Sequence, residues 1–304
     1  MPSPHAAPTD DDLPNFFIIG AAKSGTTTLY AMLDQHPDVF FPRVKETNFF
    51  STDGAHALGL GHYQTTFFRG ASRHPARGDA SVTYLWSPTA PSRIRAQIPP
   101  SGHRFVVIYR EPVARAFSQY LHMIRTGAER GGFVEAVDDD DARVAADTTG
   151  WYSQCYGFGS HYAAHLRRWE SELPEARYLH LLYDDLAADP AACVRSVLRF
   201  LGLDDSHPLE ERRENTAGRS RFGLMPMLNR APAWAKRPVE AVLGSEVRQH
   251  LVRRLEELDR RTLAPPVLDA YVVSQLRPRF ELDVAAVEQA TGRALPDWRS
   301  NNRD

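Results

Sequence analysis

The stretch that decides the fold is Phe16-Phe17-Ile18-Ile19-Gly20-Ala21-Ala22-Lys23-Ser24-Gly25-Thr26-Thr27-Thr28-Leu29, an apolar run followed by small and hydroxylated residues. The apolar run predicts a buried strand, and the residues after Gly25 predict the start of a helix. Gly20 and Gly25 allow a tight turn, in which backbone N–H groups and the positive end of the helix converge. This arrangement indicates a site for a phosphate-like anion beside Lys23. An ordinary strand-to-helix turn is the alternative, since glycine and threonine are common in turns.

The order of residues in this loop differs from that of an ATPase phosphate-binding loop. Such a loop places lysine directly after its second glycine, whereas here Lys23 precedes Gly25 by two positions and Thr26 follows it. The order Lys-Ser-Gly-Thr-Thr-Thr after an apolar strand resembles the 5′-phosphosulfate loop of sulfotransferases that use 3′-phosphoadenosine 5′-phosphosulfate (PAPS). The resemblance implies that the loop binds this cofactor through Lys23, Ser24, Gly25, Thr26, Thr27 and Thr28. Lys23 and Thr27 would stabilise charge on the bridging oxygen.

Composition limits the partners and the compartment. The chain of 304 residues has a formal net charge of −2, so it offers no overall field for nucleic acid, and an anion site must be built from local lysine and arginine. No apolar run approaches the roughly 20 residues of a spanning helix, and the N-terminus lacks the basic start of a secretory signal. Cys155 and Cys193 suit a reducing interior as two thiols. We therefore expect a cytoplasmic protein without a transmembrane segment or a nucleic-acid partner.

Strand and helix patterns alternate along the chain. They predict a single α/β domain with a central parallel sheet flanked by helices. Residues 1–15, rich in proline and aspartate, predict a disordered segment before a domain at 16–304. The unalternating apolar run at 104–109 is typical of a strand covered on both faces. Further strands are predicted at 39–41 and 178–182, and helices at 29–35, 163–173 and 191–201.

A second candidate anion site follows the strand at 104–109. Arg110 ends that strand, Pro112 suits the first turn of a helix, and Ser118 lies eight residues after Arg110, about two helical turns away. This segment resembles the 3′-phosphate site of the same sulfotransferases, which implies that Arg110 and Ser118 bind that phosphate. The alternative is that Arg110 pairs with Glu111 or with a C-terminal carbonyl, and that Ser118 caps or bonds locally. Two anion sites at the carboxyl ends of two strands favour one ligand with phosphates at both ends.

The resemblance extends from Phe16 to about Trp298 and is closest to the heparan-sulfate-type branch and its bacterial relatives. It includes four further segments: Lys45-Glu46-Thr47-Asn48-Phe49-Phe50, Gly78-Asp79-Ala80-Ser81-Val82-Thr83-Tyr84-Leu85, Ser160 to Trp169, and Ala290 to Trp298. Ala80 stands where the animal enzymes carry lysine, so part of their acceptor-side charge is absent. The late basic loop that closes over the cofactor is weakly matched at residues 215–221, with Arg219 as the candidate residue.

The resemblance also assigns a general base, Glu46. We expect Phe49 and Phe50 to desolvate it and to raise its pKa; the alternative is a surface glutamate paired with Lys45. Asp79 is the reserve base, because cytosolic aryl sulfotransferases use a histidine in that element.

His161 and His165 are four residues apart on a predicted helix, but no third metal ligand is evident, and we expect no metal site. His161 is expected to border the acceptor pocket and His165 to lie in the core.

The resemblance implies an enzyme that transfers the sulfuryl group from PAPS to a hydroxyl or amine of a small-molecule, glycolipid or carbohydrate acceptor. Transfer of this kind does not require a metal. A nucleotide-dependent phosphotransferase, which requires Mg²⁺, and a non-catalytic nucleotide-binding module are the alternatives. The aromatic residues Trp86, Trp151, Tyr152, Tyr156 and Phe158 suit either an acceptor cleft or the core.

Overall fold

The computed structural model describes residues 12–210 and 267–300, together with the backbone of residues 219–220 and 260–261. Its central sheet is parallel, with the strand order β2-β3-β1-β4-β5. The strands are β1 (Phe16–Gly20), β2 (Val39–Phe40), β3 (Ala76–Asp79), β4 (Arg104–Tyr109) and β5 (Arg177–Leu182). A separate antiparallel pair joins β6 (Arg219–Ser220) to β7 (Arg260–Arg261). The α/β architecture predicted from the sequence is confirmed.

Helices cover both faces of the sheet. The first six are α1 (Thr26–Leu33), α2 (Asp53–His56), α3 (Leu60–Tyr63), α4 (Ala90–Gln97), α5 (Pro112–Thr126) and α6 (Phe133–Asp138). The others are α7 (Asp140–Ala146), α8 (Tyr162–Glu172), α9 (Tyr183–Ala188), α10 (Pro190–Leu201), α11 (Ala270–Leu276) and α12 (Glu281–Thr291). Within this part of the chain, no helix is long and apolar enough to cross a membrane.

The two central strands are buried on both faces, as their unalternating sequences predict. Phe17 of β1 and Phe105 of β4 stack with ring centroids 5.6 Å apart, and Trp169 of α8 packs edge-on against Phe105 on that side. On the other face, Ile18 packs in a core with Leu29 of α1 and the apolar side of α10. Alternate residues of one strand thus enter two different cores, which anchors β1 and β4 rigidly beneath the loops that follow them.

The strand order of the sheet reverses between β1 and β4. From β1 the chain adds β2 and β3 on one side, and it then returns to add β4 and β5 on the other. Loops at the carboxyl ends of strands on either side of such a switch point form the ligand crevice of open parallel sheets. The residues after β1 and after β4 therefore share the most favourable position for a ligand.

Two details differ from the expectations, and a third, the state of the two cysteines, agrees with them. Residues 12–15 are ordered, because Leu13 is buried and the Asn15 N–H bonds the Arg77 carbonyl at 2.8 Å; residues 1–11 lie outside the described residues. The strand β3 was not predicted, since a run containing arginine, glycine and aspartate lacks a strand pattern. Cys155 and Cys193 are both buried free thiols.

Candidate anion site and its surroundings

The loop between β1 and α1 forms the tight turn predicted from its glycines. Gly25 precedes the helix with φ +86°, and a Cβ atom there would lie 2.6 Å from Leu186 Cδ2 in α9. The Ala21 N–H bonds the Ile108 carbonyl of β4 at 2.9 Å, and the Ser24 N–H bonds the Ala21 carbonyl at 3.2 Å. A side chain at position 25 is therefore excluded by both conformation and contact. The loop is held against β4 and α9 on both sides.

The loop contains a buried polar side chain, that of Ser24. It is fully buried, and its hydroxyl has no hydrogen-bond partner among the described residues. A buried hydroxyl without a partner costs about 1–3 kcal/mol. An anion seated in the loop would accept that hydrogen bond. Thr26 is buried beside it, and Thr27 and Thr28 are half-buried in the first turn of α1.

Arg110 lies against the same loop. Its Nη1 donates to the Lys23 carbonyl at 3.1 Å, and its guanidinium carbon lies 4.6 Å from the ring centroid of Tyr183. The structure therefore brings together Lys23 and Arg110, which were predicted separately. Through these contacts Arg110 bonds the Lys23 carbonyl and not Glu111. The aromatic ring and the carbonyl leave part of its donor fork for a ligand, because a guanidinium carries five N–H groups.

Helix α5 carries a polar stripe along one face. Arg115, Ser118, His122 and Arg125 follow one another at intervals of three or four residues, which places them on the same side of a helix. Arg115 Nη1 contacts the Ala22 carbonyl at 3.4 Å, and Arg125 Nη2 donates to His122 Nδ1 at 2.7 Å. Ser118, half-buried, lies between these residues on the stripe. Of these residues only Ser118 was predicted from the sequence; the same helical spacing also indicates Arg115, His122 and Arg125.

The charges around the loop perturb Lys23. Burial, followed by the charges of Arg125, Arg110 and Arg115, lowers the pKa of Lys23 to about 8, and the charge of Glu46 opposes this shift. Burial and the neighbouring charges of Lys23 and Arg125 lower the pKa of His122 to about 3. His122 is thus neutral and holds Arg125, while Lys23 still carries its proton at neutral pH. A cluster of like charges at one sheet edge, in a chain whose formal net charge is −2, is suited to a multiply charged anion.

Glu46 lies beside this cluster. Lys45 Nζ donates to Glu46 Oε1 at 3.0 Å and to Thr26 Oγ1 at 3.4 Å, so the pair rests on the first residue of α1. The Glu46 side chain is 33% exposed. Its carboxylate is accessible to an acceptor and close enough to raise the pKa of Lys23.

Phe49 and Phe50 do not form the expected apolar surroundings of a free carboxylate. Both are buried, and Phe49 stacks on Tyr63 at 4.4 Å between ring centroids. Phe50 packs edge-on against Tyr84 at 5.8 Å. They anchor the Glu46 segment to the core, whereas the carboxylate itself pairs with Lys45.

Asp79 is not placed to act as a base. It is fully buried, and Oδ2 accepts hydrogen bonds from Thr47, Tyr63 and Tyr84 at 2.7, 2.7 and 2.8 Å. Ser81 donates to Oδ1 at 2.7 Å. Burial raises the pKa of Asp79, and the hydrogen bonds from these hydroxyls act against that rise. With four donors and no exposed surface, this carboxylate organises the protein and does not reach an acceptor.

Two histidines lie in or next to α8. His161 Nδ1 lies 3.2 Å from Asp283 Oδ2, and its ring lies against Phe280; its place at the border of the acceptor pocket stays a prediction. His165 is buried and bonds the Phe158 carbonyl at 2.8 Å, as expected of a core residue. Burial lowers the pKa of His165 to about 3.

Two other groups of candidate residues are only partly described. Arg219 lies in β6, opposite Arg261 of β7, and its side chain lies outside the described structure; its role in binding stays a prediction. Of the candidate aromatic residues, Trp86 and Tyr156 are buried in the core, whereas Trp151 is 43% exposed.

The sequence of this chain is similar to those of known proteins. A family model described as the sulfotransferase domain matches residues 13–225. Human bifunctional heparan sulfate N-deacetylase/N-sulfotransferase 3 is 30% identical over 205 residues, covering 64% of this chain and 23% of that protein. Mouse heparan sulfate glucosamine 3-O-sulfotransferase 3B1 is 30% identical over 191 residues, covering 63% and 46%. The matched part is thus less than half the length of either relative.

A solved structure agrees over a longer range. The crystal structure of a sulfotransferase from Alicyclobacillus acidocaldarius superimposes with a TM-score of 0.63 and 25% sequence identity, covering 94% of this chain and 98% of that one. The residues that the family model matches include Lys23, Arg110 and Glu46. Fold, family model and relatives therefore agree, and this chain belongs to the sulfotransferase family.

Proposed function

We propose that this protein transfers the sulfuryl group of PAPS to a hydroxyl or amine of a small-molecule, glycolipid or carbohydrate acceptor. The observation that carries the proposal is the convergence of Lys23 and Arg110, from two strand ends, on a loop that contains a buried, unpartnered serine hydroxyl. Family membership favours sulfuryl transfer over the phosphotransferase alternative.

The residues present fit both ends of the cofactor. Lys23, Ser24, Gly25, Thr26, Thr27 and Thr28 would hold the 5′-phosphosulfate through side chains and first-turn N–H groups, which have no partner within a helix. Arg110 and Ser118 would hold the 3′-phosphate, since an arginine fork makes charge-assisted bonds to phosphate. We assign Arg219 to the same ligand from the sequence alone. PAPS supplies an activated sulfuryl group whose transfer leaves 3′-phosphoadenosine 5′-phosphate (PAP).

Four side chains share the work of transfer. Protonated Lys23 stabilises negative charge on the oxygen that leaves, and Thr27 adds a hydrogen bond there. Glu46 takes the proton from the acceptor hydroxyl or amine as that group attacks in line. The Lys45 ammonium orients Glu46, because one nitrogen bonds both the carboxylate and Thr26. These protein cations supply the stabilising charge, and we propose that transfer is metal-independent.

The names of the relatives favour a carbohydrate acceptor. The proteins compared above act, by name, on heparan sulfate or its glucosamine. Position 80 contributes no charge, because Ala80 has an uncharged side chain, and the cations that interact with Glu46 are Lys45 and Lys23. An acceptor screen should therefore begin with amino sugars and glycosides.

The test is calorimetric binding of PAP and of ATP, each with and without Mg²⁺, followed by assay of sulfated product from PAPS. We expect metal-free binding of PAP that weakens about 10- to 100-fold in Arg110→Ala. Arg168→Ala is the matched control, because Arg168 donates to the Trp86 carbonyl away from the loop and should bind PAP as the parent does. A preference for ATP with Mg²⁺ would overturn the proposal in favour of a kinase.

A second variant separates binding from chemistry. Glu46→Gln should bind PAP with unchanged affinity and lose about 10²- to 10⁴-fold in turnover, the range expected for removal of a general base. PAP binding by the parent with no sulfated product from any acceptor would instead support a non-catalytic module. Full turnover in Glu46→Gln would remove Glu46 from the role of base.

A further inference from the structure

Arg115 lies beneath the anion loop and is the best-connected cation in its surroundings. Its guanidinium is fully buried. Nη1 donates to Gln119 Oε1 at 2.7 Å and to the Ala22 carbonyl at 3.4 Å, and Nε donates to Ser160 Oγ at 2.5 Å. Nη2 donates to the Tyr156 carbonyl. One side chain thus joins the loop, helix α5 and the segment 156–160.

All four of these acceptors are neutral groups. In the part of the chain that the structure describes, no carboxylate lies within ion-pair distance of Arg115. Asp140 acts on Arg115 only at longer range, from the far side of segment 156–158, whose N–H groups it accepts. Burial lowers the pKa of Arg115, which is the direction expected for a cation that lacks a bonded counter-charge.

The surrounding backbone is shaped to hold this guanidinium. A Cβ atom at Gly159 would lie 2.9 Å from Arg115 Nη1, so the chain approaches more closely than any other residue type would allow. A buried cation of this kind is costly unless a negative group compensates it. Ala22 is next to Lys23 in the loop, so an anion bound in the loop would lie close enough to compensate this charge.

We propose that Arg115 is the positioning residue of the anion loop and that it acts specifically on the 5′ end of the nucleotide. By holding the Ala22 carbonyl towards α5, it turns the Lys23 N–H, which points the opposite way in the same planar peptide group, towards the ligand. Its charge, screened little by water, adds to the attraction for an anion in the loop. The inference rests on the proposed function, and it assigns to Arg115 no contact with the ligand.

The experiment compares two ligands that differ only in the 5′ group. PAP and adenosine 3′-monophosphate share the adenosine and the 3′-phosphate, but only PAP has a group that enters the loop. We expect Arg115→Gln to weaken PAP binding about 10- to 100-fold, because the loop loses the charge-assisted hydrogen bond from Arg115 to the Ala22 carbonyl. The affinity for adenosine 3′-monophosphate should be unchanged. Titration followed by calorimetry or NMR measures both affinities.

Arg104→Gln is the matched control. Arg104 is likewise an arginine that donates to backbone carbonyls, those of Asn15 and Leu201, although it is only partly buried, and it begins β4, at the amino end of the strand, whereas the loop lies at the carboxyl ends. Arg104→Gln should change neither the affinity for PAP nor the affinity for adenosine 3′-monophosphate. Equal loss of both ligands in Arg115→Gln would show a general structural role and overturn the inference, as would no loss of either.

A second variant covers the case in which Arg115→Gln does not fold. Gln119→Leu keeps the arginine but removes the acceptor that shares Nη1 with Ala22. It should weaken PAP binding by a smaller factor, about threefold to tenfold, again without an effect on adenosine 3′-monophosphate; equal effects on the two ligands, or none, would overturn the inference. Failure of the unaltered protein to bind PAP at all would instead refute the proposed function, so the two failures are distinguishable.

Discussion

The Thr47 hydroxyl donates a hydrogen bond of 2.7 Å to Asp79 Oδ2, joining the residue after Glu46 to the end of the buried strand β3. Tyr63 and Tyr84 donate to the same oxygen. The segment that presents Glu46 is therefore fixed to the sheet by a buried carboxylate. The acidic residue that was considered as a reserve base instead determines where the proposed base lies.

The first prediction concerns this hydrogen bond. Thr47→Val preserves the shape of the side chain but removes the donor, so Glu46 should lose some of its fixed position. We expect kcat to fall about 5- to 10-fold, in line with the value of one such bond, while the dissociation constant for PAP stays the same. Steady-state kinetics and calorimetry on the same preparation measure the two quantities.

Tyr63→Phe is the control for Thr47→Val. It removes another donor to Asp79 Oδ2 from a residue that is not in the Glu46 segment. Both variants should lower the midpoint of thermal unfolding, but only Thr47→Val should lower kcat at a temperature where both are folded. Equal kcat losses would mean that Asp79 acts on stability in general.

The second prediction is a pH dependence of nucleotide binding. Lys23 has a pKa of about 8, and a bound anion favours its protonated form and so raises that pKa. Affinity for PAP should therefore stay constant from about pH 7 to 8 and then fall by up to tenfold per pH unit, because the free protein has lost the proton that the complex requires. Calorimetry between pH 7 and 9.5 gives the profile.

Lys23→Arg supplies the comparison, because arginine keeps its charge throughout this range. Its PAP affinity should be independent of pH from 7 to 9.5, even if it is lower overall. A fall above pH 8 that persists unchanged in Lys23→Arg would assign the titration to another group.

The third prediction distinguishes the 3′-phosphate site from the loop. Adenosine 5′-monophosphate has the 5′-phosphate of PAP but lacks the 3′-phosphate. Ser118→Ala should therefore weaken PAP binding about 10- to 100-fold, the value of one hydrogen bond to a charged group, without changing the affinity for adenosine 5′-monophosphate. Loss of both ligands to the same degree would place Ser118 outside the 3′-phosphate site.

The fourth prediction concerns the glycine that ends the loop. Gly25→Ala adds a Cβ at φ +86°, 2.6 Å from Leu186 Cδ2, so it should combine backbone strain of about 1–2 kcal/mol with a steric cost. Gly202→Ala has the same kind of backbone, at φ +77°, but its Cβ would meet nothing within 4 Å. Chemical denaturation should show the larger loss of stability for Gly25→Ala, and equal losses would mean that Leu186 simply moves away.

Much of the site was predictable because it is local in sequence. Lys23, Ser24 and Gly25 occupy one turn, and Arg110 and Ser118 are separated by a spacing that helix α5 reproduces. The burial of β1 and β4 followed from unbroken apolar runs, which have a single stable place in a parallel sheet. The pairing of Lys45 with Glu46, considered as the alternative for that glutamate, is also a contact between neighbours.

Other features depend on contacts between residues far apart in the chain. His161 pairs with Asp283, 122 residues away, and no local pattern indicates which of the two histidines pairs with a distant carboxylate. The role of Asp79 depends on hydroxyls from three segments of the chain. The sequence alone does not distinguish a carboxylate that accepts several hydrogen bonds from a catalytic carboxylate. Arg115 was visible beside Ser118 but gave no sign of being buried.

The sequence by itself determined the α/β class, the order of its principal elements and the position of an anion loop after the first strand. These follow from hydrophobic periodicity and from the backbone freedom of glycine, which act over a few residues. Only the tertiary structure decided that the cations of α5 gather around Lys23 and lower its pKa, and that Asp79 supports Glu46. Burial and electrostatic potential are sums over all neighbours in space, so they exist only once the chain has brought distant residues together.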